Sequence, residues 1–582
     1  MKKNVLNFRT LAALLVVGAA FTACSNDQDF KIEKKNAPTD QAYTLTVQAT
    51  KESDAITRGL SLDGKTLNVK WNEGEKVDVV QAGELLGTLE AKASDTGSTT
   101  LSGTVSGVTA DNDMTLYLHG YNRDYTGQNG LLVSDDNSIE NKYDYAECTV
   151  EKSNINISGS NMTVTGTANF KSSQAIVKFI FPEEVTSLTI GGTIKDEKNI
   201  VQTSDKISGE ESCGAVTIVP SSATNTIYAA IMPSAGETFD EFTLSVVNND
   251  GISYFYTKWE VTFSAGKYSV ITVKNMTKGL NLNLVTSDVT AKDGYILTGT
   301  LEGKEQPYKI SIADGAKVSL VDAIINGAPS DWSSEPQQVY EWAGLTCEGD
   351  ATIELIGTNF VKGFDSRYPG LTVAVGSTLT INGDGSLEVM SNGDAAGIGS
   401  AKNKDGDCGN IVIEGDPSIT AIGGDYAAGI GSCFRSSNND VTGNNMCGDI
   451  TIKSGTVLAI GGKQAAGIGA SFGSGSSHLS VCGNITISGG TVTAEGGELA
   501  AAIGGGYTYY TVGNITISDC IISATKGEGS VSEGGFTYAP HTIGHGANYR
   551  TQYEPNPNST IGTVTVGGVV GEITESPYIY EP

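Results

Sequence analysis

Apolar and polar residues alternate in short runs along most of this chain, and the runs are too brief and too strictly of period two to be helices. Tyr43-Thr44-Leu45-Thr46-Val47 begins the pattern. Between residues 395 and 567 it becomes a repeat. One half reads CGNIVI from Cys408, CGDITI from Cys447, CGNITI from Cys482, VGNITI from Val512 and IGTVTV from Ile561. The other half reads AAGIGS from Ala395, AAGIGS from Ala427, AAGIGA from Ala465, AAAIGG from Ala500 and HTIGHG from His541. A period of roughly 30–40 residues marks a stacked-repeat architecture. Each half predicts a short strand closed by a glycine turn, and stacked copies make a parallel β-solenoid. Within a copy Ile485 and Ile487 point inward and Thr486 outward. Less regular coils are expected from Ile310 onward. About eight coils at ~4.8 Å give a rod of about 40 Å. Residues 567–582 are expected to blunt its open end.

Upstream of the solenoid the pattern predicts many short strands separated by Gly, Asn, Asp and Ser turns, the signature of a β-sandwich. The fold class is therefore all-β throughout. A strand ends near Trp71, Gly74 sits in a tight turn, and Val77 and Val79 share one face of the next strand. Three phrases follow in order: Thr57-Arg58 with the Trp71-Asn72-Glu73-Gly74-Glu75 turn, then Gln174-Ala175-Ile176-Val177-Lys178-Phe179, then Phe263-Ser264-Ala265-Gly266-Lys267-Tyr268. In these phrases residues 43–277 resemble the fimbrillin-like family of Bacteroidetes surface and pilus proteins. The resemblance implies two stacked antiparallel sandwiches with a break near residues 165–170. Residues 278–305 are expected to be a linker, and residues 306–582 the solenoid. In polymerising members of that family an arginine in the first strand is a processing site. Cleavage there opens a groove that another subunit fills by strand addition. Arg58 is the residue to which this carries over, and the plainer reading makes Thr57-Arg58 an ordinary edge-strand pair.

The N-terminus is a targeting segment. Lys2, Lys3 and Arg9 precede an apolar stretch from Leu11 to Phe21, too short to span a bilayer. The stretch ends in Phe21-Thr22-Ala23-Cys24, which resembles a bacterial lipobox in which Cys24 is lipidated and becomes the first mature residue. Ser25-Asn26-Asp27-Gln28-Asp29 resembles the surface-export signal of Bacteroidetes-type lipoproteins. Residues 25–42 are polar and expected to be a flexible tether. Together these predict a lipid-anchored, surface-exposed protein of a bacterial outer membrane.

Composition narrows the function. The chain has 73 glycines and 14 prolines, and its formal net charge is −29. It has no basic surface to neutralise phosphates, which argues against nucleic acid as a partner. Cys408, Cys447 and Cys482 share one repeat position with Val512 and Ile561, so they are expected as small buried side chains and not as metal ligands. A Cys433–Cys447 bridge is the remaining disulfide candidate. Neither a metal nor a cofactor is predicted.

Candidate recognition residues lie where the repeats differ. Loops of unequal length separate each Ile-Gly from the next Gly-Asn-Ile and must emerge along one edge. They carry Phe434, Arg435, Phe472, His478, Tyr507, Tyr509, Tyr510, Tyr549, Arg550 and Tyr553. Aromatics among Asn, Ser and Gly suit a glycan- or protein-binding edge. The alternative is that the rings fold back over the coil ends. Catalysis is not expected. Asp405, Asp407, Asp416, Asp425, Asp440, Asp449, Glu495 and Glu498 form no paired ladder, and His541 and His545 sit on a corner and not on a helix. The resulting expectation is a non-catalytic adhesin or pilus-associated protein, in contact with other pilus subunits in the second case. The alternative is a carbohydrate-binding component of a polysaccharide-utilisation system, or a β-helix polysaccharide lyase or hydrolase.

Overall fold

The computed structural model describes residues 41–582 apart from 52–60, 64–65, 69, 96, 110, 119, 121–122, 134, 195–196, 199–201, 206–210, 214, 232–237, 332–338, 403–405, 435–443, 474, 476–477, 534–535 and 548–558. The first strand, Tyr43–Lys51, is hydrogen-bonded on both edges. It runs antiparallel to Ser98–Val105 and parallel to Asn161–Ser172, and the second pairing closes seven strands of an eight-stranded sheet into a ring. Period-two alternation puts Leu45, Val47 and Ala49 into the core around Trp71 and Phe170, whose rings meet edge to face at 5.6 Å.

A 20-residue strand, Ala175–Ile194, organises the second sandwich. It pairs antiparallel with Thr224–Ile231 and Thr238–Asn248 and parallel with Tyr268–Thr272. Phe179, Phe239, Phe242 and Phe263 fill the core between them. The changeover falls between Ser172 and Ala175, a few residues past the expected break.

Residues 278–305 are not a plain linker. Thr277–Asn281 pairs antiparallel with Ser253–Thr262 of the sandwich and parallel with Ile296–Glu302, which pairs in turn with Ala316–Asn326. One sheet thus runs from the sandwich into the solenoid. The reason is burial: Leu280, Leu297 and Leu301 all enter the solenoid core. The sandwich covers what would otherwise be an open coil end.

The solenoid stacks in register. One ladder has nine rungs, from Val289–Ala291 through Ile430–Gly431 to Ile543–Gly544. A second ladder aligns Ile411, Ile450, Ile485, Ile515 and Val564, all buried, and beside them Val412, Thr451, Thr486, Thr516 and Thr565 face outward. At the far end the chain reverses. Val569–Val570 and Tyr578–Tyr580 pair antiparallel with Val564–Val566 and Ile521–Thr525. Tyr578 and Tyr580 lean on the last coil's core.

Candidate functional site

The loops are positioned by what lies beneath them. Gly399, Gly431, Gly469, Gly504 and Gly544 stack at the corners with φ between +132° and +143°. A different side chain turns each coil on its neighbour at the next corner. The Asn410 Oδ1 accepts the Asp449 N–H at 2.9 Å, Asp449 accepts that of Asn484 at 2.7 Å, Asn484 that of Asn514 at 2.9 Å, and Asn514 that of Thr563 at 2.8 Å. This amide ladder satisfies backbone donors that the turn leaves unpaired.

The cysteine position behaves as a core rung. Cys408, Cys447, Cys482, Val512 and Ile561 are aligned coil by coil. Burial pushes the Cys482 thiol well above its ordinary value, which leaves it a poor nucleophile. Seven cysteines are free among the described residues. The Cys433–Cys447 bridge is not formed; instead Cys433 Sγ accepts a bond from Asn445 Nδ2 at 3.3 Å.

Consecutive loops bring four rings together on one edge. Phe434 and Phe472 stack with centroids 5.3 Å apart, and Phe472 and Tyr507 stack at 6.0 Å. Tyr426, which the sequence reading passed over, tilts against Phe434 at 5.8 Å and Phe472 at 6.3 Å. Lys402 Nζ lies 5.2 Å from the Phe434 centroid and 2.6 Å from Asp394 Oδ2. All four rings are half-buried. Phe434, Phe472 and Tyr507 are stacked in succession, so each covers part of its neighbour's face. Tyr509 and His478 are half-buried nearby in sequence, and the Tyr509 N–H donates to Ser559 Oγ at 3.0 Å. Cys24, Arg58, Arg435, Tyr549, Arg550 and Tyr553 lie outside the described residues.

Tyr510 is not an edge residue. It begins the strand Tyr510–Val512, fully buried, and its hydroxyl meets His545 Nδ1 at 2.8 Å. His545 and His541 both approach Glu572 from the C-terminal cap, and the His545 N–H donates to Glu572 Oε2 at 2.9 Å. Burial would raise the Glu572 carboxyl, but the hydrogen bonds from His541 and His545 outweigh it and hold it below the usual carboxylate range. Burial lowers the His545 imidazole; Glu572 opposes this, His541 reinforces it, and the net is a lowered value. Both groups are depressed in the folded state, so both contribute stability that is lost on acidification. The His545 contribution goes as pH falls below about 6.5 and the Glu572 contribution as pH falls below about 4.3. Hydrogen exchange at Ile543 and Gly544 is therefore expected to quicken several-fold between pH 7.5 and 5.5 beyond the intrinsic pH effect, and again by pH 4. Glu572→Gln should remove the second step. Protection that does not change with pH would contradict this account of the cap. Among the described residues no group of three or more His, Cys, Asp or Glu side chains could hold a metal ion.

Comparison with known proteins agrees with the repeat. A family model described as a beta helix repeat matches residues 411–432, 450–472 and 485–507. Each match runs from an inward isoleucine strand to a corner or to an edge aromatic. Solved structures similar to part of the chain include fimbrial proteins and proteins described as putative cell adhesion proteins, all from Bacteroides and related genera. The tip fimbrial protein Mfa3 from Porphyromonas gingivalis is 11% identical over 37% of this chain and 81% of that one, with a TM-score of 0.21. A fimbrial assembly protein from Parabacteroides distasonis is 13% identical over 40% and 91%, at 0.23. A fimbrial protein from Bacteroides ovatus is 11% identical over 42% and 50%, at 0.21. No curated protein matches the chain.

One concavity escaped the sequence reading. A groove of about 230 Å³ lies on the outward face of Leu345–Cys347 and Leu371–Val373. Residues 341–343 and 406–407 line it, together with Lys309, Glu348 and Tyr368. The signal that could have exposed it is an interruption of the period. Eighteen residues, 327–344, separate the strands Ala316–Asn326 and Leu345–Cys347, and they carry two of the chain's four tryptophans.

Proposed function

We propose that this chain is a non-catalytic, lipid-anchored surface protein of adhesin or pilus-associated type. Cys24 carries the lipid, the sandwiches form the base, and the solenoid holds its loop edge toward a glycan or protein partner. The observation that supports this reading best is the strip Tyr426, Phe434, Phe472 and Tyr507, in which separate loops share one ordered surface on a rigid rod. A rod whose corners are locked rung by rung presents such a surface at little entropic cost on binding. The absence of catalysis is supported by the use of the repeat carboxylates for structure: Asp449 caps Asn484, and Asp407 accepts the Met446 N–H at 2.8 Å. Processing at Arg58 belongs to the pilus-subunit version of the proposal.

The mature protein on arrays of host glycans, plant polysaccharides and host-surface proteins is the direct test. Phe472→Ala with Tyr507→Ala is expected to lower retention of the bound partner by roughly ten-fold, a loss typical of a central aromatic contact. Tyr510 is left intact because its removal would unfold the last coil. Retention unchanged in the double variant, with its melting temperature close to wild type, would sink the edge reading.

A further inference from the structure

We propose that the groove beside Trp342 is a second binding site, one that takes a single neutral pyranose ring. It lies apart from the aromatic strip and does not rest on the edge reading.

The walls are built before any ligand arrives. Arg367 joins them, with Nε 2.8 Å from Asp365 Oδ1 and Nη2 3.1 Å from Glu341 Oε1, while its carbonyl accepts the Lys402 N–H at 2.7 Å. Two coils and the loop that follows the first Ala-Ala-Gly-Ile-Gly corner are thereby tied together. A pre-formed concavity loses little ordering entropy on binding.

The lining matches the two sides of a sugar. Trp342 and Tyr368 supply half-buried rings against which the C–H face of a pyranose can pack. Trp342 is itself fixed by Phe364 and Tyr340, at 5.5 and 5.7 Å between centroids. Its indole N–H is buried and has no hydrogen-bond partner among the described residues. That donor is closed to solvent, so the groove offers the face of the ring and not its N–H. Glu341, Glu348 and Asp407 add carboxylate oxygens, which accept bonds from vicinal hydroxyls.

Charge and size set the class of ligand. Three lining carboxylates face the Lys309 ammonium and the Arg367 guanidinium, which is also paired with Asp365, so the balance stays negative and a uronic or sulfated sugar is repelled. A volume of about 230 Å³ is below the roughly 300–1,000 Å³ of pockets that enclose a drug-sized ligand. One ring fits and a buried oligosaccharide does not.

Titrating the mature protein with the methyl glycosides of glucose, galactose, mannose and N-acetylglucosamine, followed by saturation-transfer NMR, tests this. At least one is expected to bind with a Kd on the order of millimolar, as befits so small a ligand. Trp342→Phe shrinks the ring on which the sugar packs, and should weaken binding by roughly ten-fold. Methyl glucuronide should bind at least about ten-fold more weakly than the best neutral glycoside. Glu348→Gln, an exposed substitution at the rim, serves if Trp342→Phe does not fold, and a loss of similar size is expected. The proposal is overturned by no neutral glycoside binding, by undiminished binding in a folded variant, or by glucuronide binding as tightly. Phe472→Ala reads the edge and Trp342→Phe the groove, so the two readings can fail separately.

Discussion

Gly431→Ala is expected to destabilise the solenoid by about 3–5 kcal/mol, among the largest effects of any single methyl group in this chain. Gly431 has φ +141°, where a side chain is strained whatever the space around it. A Cβ there would stand 1.9 Å from the carbonyl oxygen of Gly469 in the next coil. That same oxygen accepts the Ser432 N–H at 3.0 Å. Relief of the clash therefore requires opening the rung bond that sets the coil spacing. The corners on either side cannot absorb the shift, because Gly399 packs on Gly431 just as Gly431 packs on Gly469. Gly475→Ala is the control, since a methyl group there meets nothing within 4 Å among the described residues; it should change stability by less than about 0.5 kcal/mol. Urea denaturation followed through the solenoid transition separates the two. A loss below about 1 kcal/mol for Gly431→Ala would refute the locked-corner account.

The same corner explains what could be read in the sequence. Ala-Ala-x-Ile-Gly recurs because each copy must accept its neighbour's backbone, so the constraint repeats as letters. The inward isoleucines and the cysteine rung were legible for the same reason. The amide ladder was printed in Gly-Asn-Ile and Gly-Asp-Ile, but its function depends on a partner in the next coil and has no local signature. Tyr510 was assigned to a loop by composition, although period-two counting back from inward Val512 places it inside. Residues 278–305 looked like a connection because their core residues, Leu280, Leu282, Val285, Ala291, Tyr295, Leu297 and Leu301, are irregularly spaced; it is the sandwich edge and the next coil that recruit them. The groove was hidden for a different reason. Lys309, Trp342, Tyr368 and Asp407 come from four irregular segments, and only coil stacking puts them side by side.

In the first sandwich, Lys51→Met is expected to cost about 3–5 kcal/mol, and the double variant Lys51→Met, Glu75→Leu much less. Alternation along Tyr43–Lys51 turns Lys51 to the same side as Leu45, Val47 and Ala49, so a cation stands on the core face with almost no exposure. It is fully paired. Nζ lies 2.9 Å from Glu75 Oε1, 3.1 Å from the Lys70 carbonyl oxygen and 4.1 Å from the Trp71 ring centroid. Glu75 in turn accepts the Asn72 N–H at 3.0 Å, and Trp71 Nε1 donates to the Gly97 carbonyl at 2.9 Å. Removing the lysine leaves a buried carboxylate without its counter-charge, which is far more costly than never having had the pair. Removing both charges forfeits chiefly the bonds to the Lys70 carbonyl and the Asn72 N–H, each worth about 1 kcal/mol. A double-mutant cycle by urea denaturation should therefore return a coupling energy above about 2 kcal/mol. Coupling near zero would mean that the two charges are solvated and act independently. If the coupling is large, the pair also sets register: a one-residue slip of Tyr43–Lys51 would turn Lys51 to solvent and strand Glu75 alone in the core. The strand can then occupy its place between Ser98–Val105 and Asn161–Ser172 in only one alignment.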